Sequence, residues 1–373
     1  MKKILFFDDS PVVGGHQFMS VKLLSELSNY FIIAVATAQR EWYQVHLSNF
    51  PASSFHPVLA GTGPAAAIRG LSPFRIAAAK NAVEESNPTF VIVCQGAPEM
   101  GLPGLLACKL NRVPVFSYVP ICQSPKELGL KLAHIRNWVQ NQIFKAFNGI
   151  VTISDAQRNM LLRRGISSRK IFILQNYLEP RKVPLVSRGK VDAIEIKIGI
   201  IGRVHFAQKG QDKLISLALL MRVKAVKIKF LIVGDGPDLL TLKKLIFDSG
   251  LSEMFAFEGW RDDVEIYYRM CDAVLSTSNF EGVPLVMLES LNSGVPFFAP
   301  NLPSFMEYLP EALLFSSVED CAGKICSWFF GSQFGALDII SELKDFVTAR
   351  HSPEVFAKAV YAMVNEGFFE AKK

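Results

Sequence analysis

The chain has 373 residues, enough for two domains of ordinary size, each with its own hydrophobic core. Half of the residues are apolar, a fifth are charged and the formal net charge is +6, which excludes collagen, a disordered chain and a small disulfide-stapled scaffold. Every apolar run breaks before the roughly 18–20 residues that a membrane-spanning helix requires.

Ile4-Leu5-Phe6-Phe7 follows two lysines, but Asp8-Asp9 ends the run far short of a signal-peptide core, so 2–7 reads as a first strand. Runs rich in Ile, Val and Phe recur at 30–37, 89–95, 113–119, 149–154 and 170–176, with helix-length segments between them. The pattern returns at 196–202, 227–234, 255–258, 272–277, 295–299 and 312–315. Near-continuous apolar strands alternating with helices imply parallel sheets covered on both faces, in two doubly wound Rossmann-like domains. The polar, aperiodic segment 179–193 reads as a linker between an N-terminal domain, 1–178, and a C-terminal domain, 194–340. Residues 341–373 read as terminal helices that pack back towards the N-terminal domain, with Ser352-Pro353 opening the last one. Within 126–147, Leu128, Leu132, Ile135, Val139 and Ile143 fall near one face of a predicted amphipathic helix, read as packed on the sheet in preference to lying on a membrane surface.

Six cysteines, at 94, 108, 122, 271, 321 and 326, form no C-x-x-C pair, so neither a disulfide framework nor a zinc site is expected, and a cytoplasmic setting is. Residues 1–180 carry 18 Lys/Arg against 10 Asp/Glu, whereas 181–373 carry 22 against 24. The basic excess therefore sits in the first half, where it fits an anionic acceptor or an anionic membrane surface.

The segment from Ser278 to Glu289 follows a predicted strand directly. Pro284 suits the first position of a helix, Gly282 permits close approach, and the N–H groups of Leu285 and Val286 can then face an anion. Glu281 stands before that helix and Glu289 two turns along it, where carboxylates suit sugar or ribose hydroxyls. Arg203 and Lys209, after the 196–202 strand, suit a diphosphate: a guanidinium grips two oxygens, and an ammonium adds a mobile charge. Gly14-Gly15 after the first strand allows backbone to approach phosphate, but no G-x-G-x-x-G is present, which disfavours a dinucleotide enzyme. No nucleic-acid motif occurs.

Glu281-x7-Glu289 with Ser293-Gly294-Val295-Pro296, preceded by Gly202-Arg203-Val204, Lys209-Gly210, Val233-Gly234-Asp235-Gly236-Pro237 and Gly259-Trp260, resembles the C-terminal domain of the retaining GT-B glycosyltransferases of family 4, glycosyl transferases group 1. The resemblance implies two Rossmann-like domains facing a cleft and transfer of a hexose-type sugar from a UDP- or GDP-activated donor, with retention. It implies a glycan or lipid-linked saccharide as acceptor. It places Glu281 on the transferred sugar, Glu289 on the ribose, Gly259-Trp260 on the base, and Gly14 and Gly15 beside the donor. Arg203, Lys209 and helix N–H groups are expected to neutralise the diphosphate with no metal or other cofactor, because no D-x-D-like pair precedes Glu281. His16, Arg69 and Tyr118 are expected on the acceptor side, and the stretch 65–80, with Arg75 and Lys80, as an acceptor or membrane contact. The enzyme is accordingly expected in the cytoplasm or peripherally at the inner face of the cell membrane. One departure stands out: Pro120 occupies the place of a family histidine, with Gln95, Glu99, Tyr118 and Gln123 as substitutes. The rival readings are an epimerase-like GT-B enzyme acting at C2 of a nucleotide sugar and a non-catalytic GT-B binding subunit.

Overall fold

The structure, a computed structural model, describes residues 1–11, 13–48, 52, 54–61, 71–127, 132–179, 195–331 and 336–369. Arg69 and all but the first residue of the expected linker lie outside these. The chain forms two compact units: Met1–Tyr177 with Pro353–Lys373, and Leu178–Ser352.

Unit 1 is built on β1 (Lys3–Asp8), β2 (Ile32–Thr37), β3 (Ser54–Pro57), β4 (Phe90–Cys94), β5 (Val115–Tyr118), β6 (Gly149–Thr152) and β7 (Ile171–Ile173), in the order β3-β2-β1-β4-β5-β6-β7. All pairings are parallel. Ile4–Phe7 are at most 1% exposed, because helices cover both faces of the sheet here. The strand β3 escapes the sequence pattern: Ser-Phe-His-Pro is short and half polar, as its place at the sheet edge permits.

Unit 2 repeats the plan with β8 (Ile196–Ile201), β9 (Ile228–Val233), β10 (Phe255–Gly259), β11 (Ala273–Leu275), β12 (Phe297–Pro300) and β13 (Leu314–Phe315), ordered β10-β9-β8-β11-β12-β13. In each sheet the strand order reverses once, between β1 and β4 and between β8 and β11. Such reversals open a crevice at the carboxyl ends of the strands, and there the ligands of open α/β sheets collect.

The two terminal helices part company. Helix Ala336–His351 belongs to unit 2, and helix Pro353–Asn365 to unit 1. Beyond the latter, Phe369 stacks on Phe90 with ring centroids 4.5 Å apart, and Phe368 sits against Phe116 and Phe172. The segment 126–147 corrects the predicted pattern. Its helix spans Ala133–Ala146 and buries Gln140, Ile143 and Phe144, whereas Leu132 and Ile135 are 72% and 61% exposed. Polar Gln140 can face inward because it bonds both Arg164 and Glu99, and that rotates the apolar residues of the first turn outward. The six cysteines are free. Among the described residues no helix is long and apolar enough to cross a membrane.

Candidate functional site

In unit 2 the loops leaving β8, β9 and β10 are bonded backbone to backbone. Gly202 N–H donates to Val233 O, Val204 N–H to Asp235 O, and Gly234 N–H to Gly259 O, at 2.8–2.9 Å. Gly234 has φ +145°, and a Cβ there would lie 2.1 Å from Gly202 O, so backbone contact between neighbouring loops requires a glycine at 234. Gln211, 3% exposed, fixes the next turn: its Nε2 donates to Arg203 O and its Oε1 accepts from His205 N–H. Gly210, at φ +60°, presses on Thr277 O, the Thr277 hydroxyl donates to Lys209 O, and Asn279 N–H donates to Gln208 O. The turn after β8 is thereby strapped to the loop after β11, across the reversal of strand order.

That strapping brings Lys209 to Glu281. Nζ donates to Oε1 at 2.5 Å, the Ser278 hydroxyl donates to the same oxygen at 2.8 Å, and Ser276 Oγ donates to Ser278 Oγ at 2.9 Å. The Glu281 side chain is 6% exposed and that of Lys209 24%. A buried carboxylate demands partners, and these donors supply them. Both residues line a small pocket with Ile200, Leu275, Thr277 and Val286. Helix Leu285–Asn292 begins here, with Pro284 as its N-cap instead of its first residue, and Met287 and Leu288 N–H both return to Pro284 O. The first two N–H groups, of Leu285 and Val286, precede the first intrahelical bond, as the donors of a helix start that can face an anion do. Gly282 and Pro284 are buried within the turn that leads in.

Glu289 is half-buried on the same helix and accepts from Tyr268 Oη at 2.7 Å. Trp260, expected at the base, is 60% exposed, and its Nε1 donates to Asp262. It is not a core residue. Gly259 before it holds φ +69°. Arg203 is half-buried in the β8 loop.

In unit 1, Gly14 is the N-cap of helix Gly15–Leu27, and its N–H donates to Gln17 Oε1. His16 lies over the reversal between β1 and β4: its Nε2 is 3.3 Å from Ser10 Oγ, and a Cβ on Gly96 would fall 2.8 Å from its ring. Tyr118 is 2% exposed, so the residue expected on the acceptor side is part of the interior, where burial pushes its phenol well up. Gln95 is likewise engaged, donating to Pro98 O and Met100 O and accepting from Ser117, while Glu99 holds Arg136 at 2.9 Å. Arg75 donates to Ala60 O, and Lys80 pairs with Glu84 at 3.3 Å.

Sequence reasoning passed over Asp8 and Asp9, both buried at the end of β1. Asp8 accepts from Ser10 N–H, Gln17 Nε2 and Tyr43 Oη. Asp9 accepts from Gly101 N–H at 3.0 Å, and burial, then the charge of Asp8, push its carboxyl up to about 6. The available signal was an acidic pair at the carboxyl end of a parallel strand. Asp8, His16 and Cys94 have ligand atoms within 4.8 Å of one another, but the Asp8 carboxylate is committed to three protein donors, a poor start for a metal site.

Residues 190–315 match the family model for glycosyl transferases group 1. The O-antigen biosynthesis glycosyltransferase WclY of Escherichia coli is 32% identical over 100 residues, 27% of this chain and 28% of that protein. The alpha-monoglucosyldiacylglycerol synthase of Streptococcus pneumoniae is 24% identical over 194 residues, 48% of this chain and 44% of that one. The chain thus spans less than half the length of these relatives. The crystal structure of Anabaena Alr3699/HepE in complex with UDP-glucose superposes with a TM-score of 0.79 at 17% identity, covering 98% of this chain and 100% of that one. The match to glycosyl transferases group 1 is thus confined to segment 190–315, and the two parallel-sheet units have the GT-B fold.

Proposed function

We propose that the chain is a glycosyltransferase that moves a hexose-type sugar from a UDP- or GDP-activated donor to a glycan or lipid-linked saccharide, with retention and without a metal, at the inner face of the cell membrane. The observation that carries this reading is the Lys209–Glu281–Ser278 cluster beside the start of helix Leu285–Asn292, at the reversal of strand order in unit 2. UDP is the favoured nucleotide, since the HepE complex holds UDP-glucose.

During transfer the bond between the anomeric carbon and the diphosphate oxygen breaks, and negative charge grows on the leaving group. Lys209, a quarter exposed and on a long stem, moves from Glu281 to a phosphate oxygen, while Arg203 and the Leu285 and Val286 N–H groups meet the others. Glu281 keeps its bond from Ser278 and turns its freed capacity to sugar hydroxyls. Glu289, anchored by Tyr268, is positioned for ribose hydroxyls, and Gly259-Trp260 for the base. Gly14 and Gly15 are assigned to the donor and His16 to the acceptor by resemblance.

A thermal-shift series with UDP, GDP and ADP tests donor recognition, since a ligand that binds only the native state raises its melting temperature. NMR of the anomeric proton in the product tests retention. No shift with any nucleoside diphosphate at millimolar concentration refutes the reading.

A further inference from the structure

The exposed face of helix Ala133–Ala146 has no use in the proposed chemistry, and its composition is unusual. Trp138 is 64% exposed, Ile135 61% and Leu132 72%, and the same side carries exposed His134, Gln142 and Lys145. Three large apolar side chains held in water by one helix need a cover. Charge identifies it. Unit 1 carries 21 Lys/Arg against 12 Asp/Glu, a surplus of nine, and residues 109–170 alone carry 11 against 2, the same surplus. The remainder of unit 1 is therefore balanced, ten against ten, and the entire excess gathers in the stretch that contains this helix. Lys170 Nζ donates to Lys145 O and Phe147 O at the helix C-terminus, and Lys109 lies near enough to Lys170 to feel its charge.

We propose that this face is a docking surface for an anionic lipid bilayer, with Trp138, Ile135 and Leu132 entering the headgroup region and Lys145, Lys109 and Lys170 meeting lipid phosphates. An exposed tryptophan among aliphatics, bordered by cations, suits an interface that is apolar below and anionic above. The surface differs from the one expected at Arg69, Arg75 and Lys80. In the stretch 65–86 three basic residues face Glu84 and Glu85, a surplus of one, and Lys80 is already paired with Glu84. The docking surface rests on the proposed function only in naming where a lipid-linked acceptor is met.

The test is sedimentation of the full chain with phosphatidylcholine vesicles, with and without about a third phosphatidylglycerol, at low and physiological salt. Binding is expected only to the anionic vesicles, falling with salt, and accompanied by a blue shift of tryptophan emission that Trp138→Phe removes. The double variant Ile135→Ser/Trp138→Ser is expected to weaken binding more than about tenfold, and Lys145→Glu roughly fivefold or more. UDP thermal shifts on the same variants separate the two readings. A variant that binds UDP and loses vesicles supports the surface, and wild type that binds vesicles and no nucleotide overturns the function alone. The docking surface is overturned if wild type ignores anionic vesicles at low salt, or if Phe74→Ser/Lys80→Glu weakens binding more than the helix variants do. It is also overturned if the helix variants abolish self-association in light scattering while vesicle binding persists, which would make the cover a second copy of the chain.

Discussion

Removing the Lys209 ammonium separates two roles that the site combines. In Lys209→Ala the Glu281 carboxylate, 6% exposed, loses a 2.5 Å charged partner and keeps only the 2.8 Å bond from Ser278 among the contacts described above. A hydrogen bond to a charged group contributes about 1.5–3 kcal/mol, and a lysine that is a quarter exposed places this one at the lower end. The expected cost is about 1.5–2 kcal/mol, which for a unit of this size lowers Tm by roughly 3–8 °C. Turnover under saturating donor should fall by at least about 10², the usual effect of deleting one charged contact to a developing anion, and Arg203→Ala should do the same. The double variant Lys209→Ala/Glu281→Gln is the discriminating one. Without a charge to strand, it should recover most of the lost Tm, while turnover stays low. The measurements are calorimetry on wild type, Lys209→Ala, Glu281→Gln and the double variant, and steady-state transfer kinetics on the same proteins. If the two single effects on stability add in the double variant, the residues are not coupled as the geometry requires. If Lys209→Ala leaves turnover intact, the lysine is a structural partner of Glu281 and the site lies elsewhere.

Among the described residues, twelve of the thirteen strands are readable from the sequence because a parallel strand covered on both faces is apolar along its covered run, as Ile4–Phe7 and Phe230–Val233 are. The exception, β3, is an edge strand whose His56 is buried against Ser54 and Glu85, polar partners that no apolar pattern reveals. The unit 2 cluster is readable for a different reason. Glycines at 202, 210, 234 and 259 mark places where backbone meets backbone or φ is positive, and such demands are local and leave a fixed spacing. Partners remote in sequence leave no such trace. Nothing in the sequence announces that Ser278 and Lys209 share one oxygen of Glu281. The orientation of helix Ala133–Ala146 is hidden for the same cause: periodicity assigns its apolar residues inward, whereas Gln140 turns inward on the strength of Arg164 and Glu99. Likewise Tyr118, polar at its tip and near a strand end, reads as a ligand contact until β4 and β6 are seen on either side of β5.

Chelation with EDTA should leave transfer intact, because Arg203, Lys209 and the helix start provide the positive charge; full loss restored by Mn2+ would refute this. Gly234→Ala should cost more than about 2 kcal/mol, since its Cβ would meet Gly202 O at 2.1 Å, whereas Gly165→Ala, with φ +76° but nothing within 4 Å, should cost only about 1 kcal/mol; equal Tm losses would contradict the backbone-contact argument. The last expectation concerns Asp9, whose carboxyl is raised from 3.8 to about 6 in the folded chain. Below pH 4 both folded and unfolded chains hold the proton, and the residue costs nothing extra. Between pH 4 and 6 the unfolded chain releases its proton while the folded chain retains it, so this group makes stability fall as pH rises. Above about pH 6 the penalty is constant, of the order of 3 kcal/mol from the 2.2-unit difference between 3.8 and 6. Asp9→Asn keeps an oxygen for the Gly101 N–H and removes the charge. It should therefore raise Tm at pH 7.5 and leave it nearly unchanged at pH 4, in melts followed by circular dichroism. An asparagine variant equally destabilised at both pH values would show that the carboxylate is stabilised by its surroundings, contrary to the burial and the neighbouring Asp8 that raise its affinity for a proton.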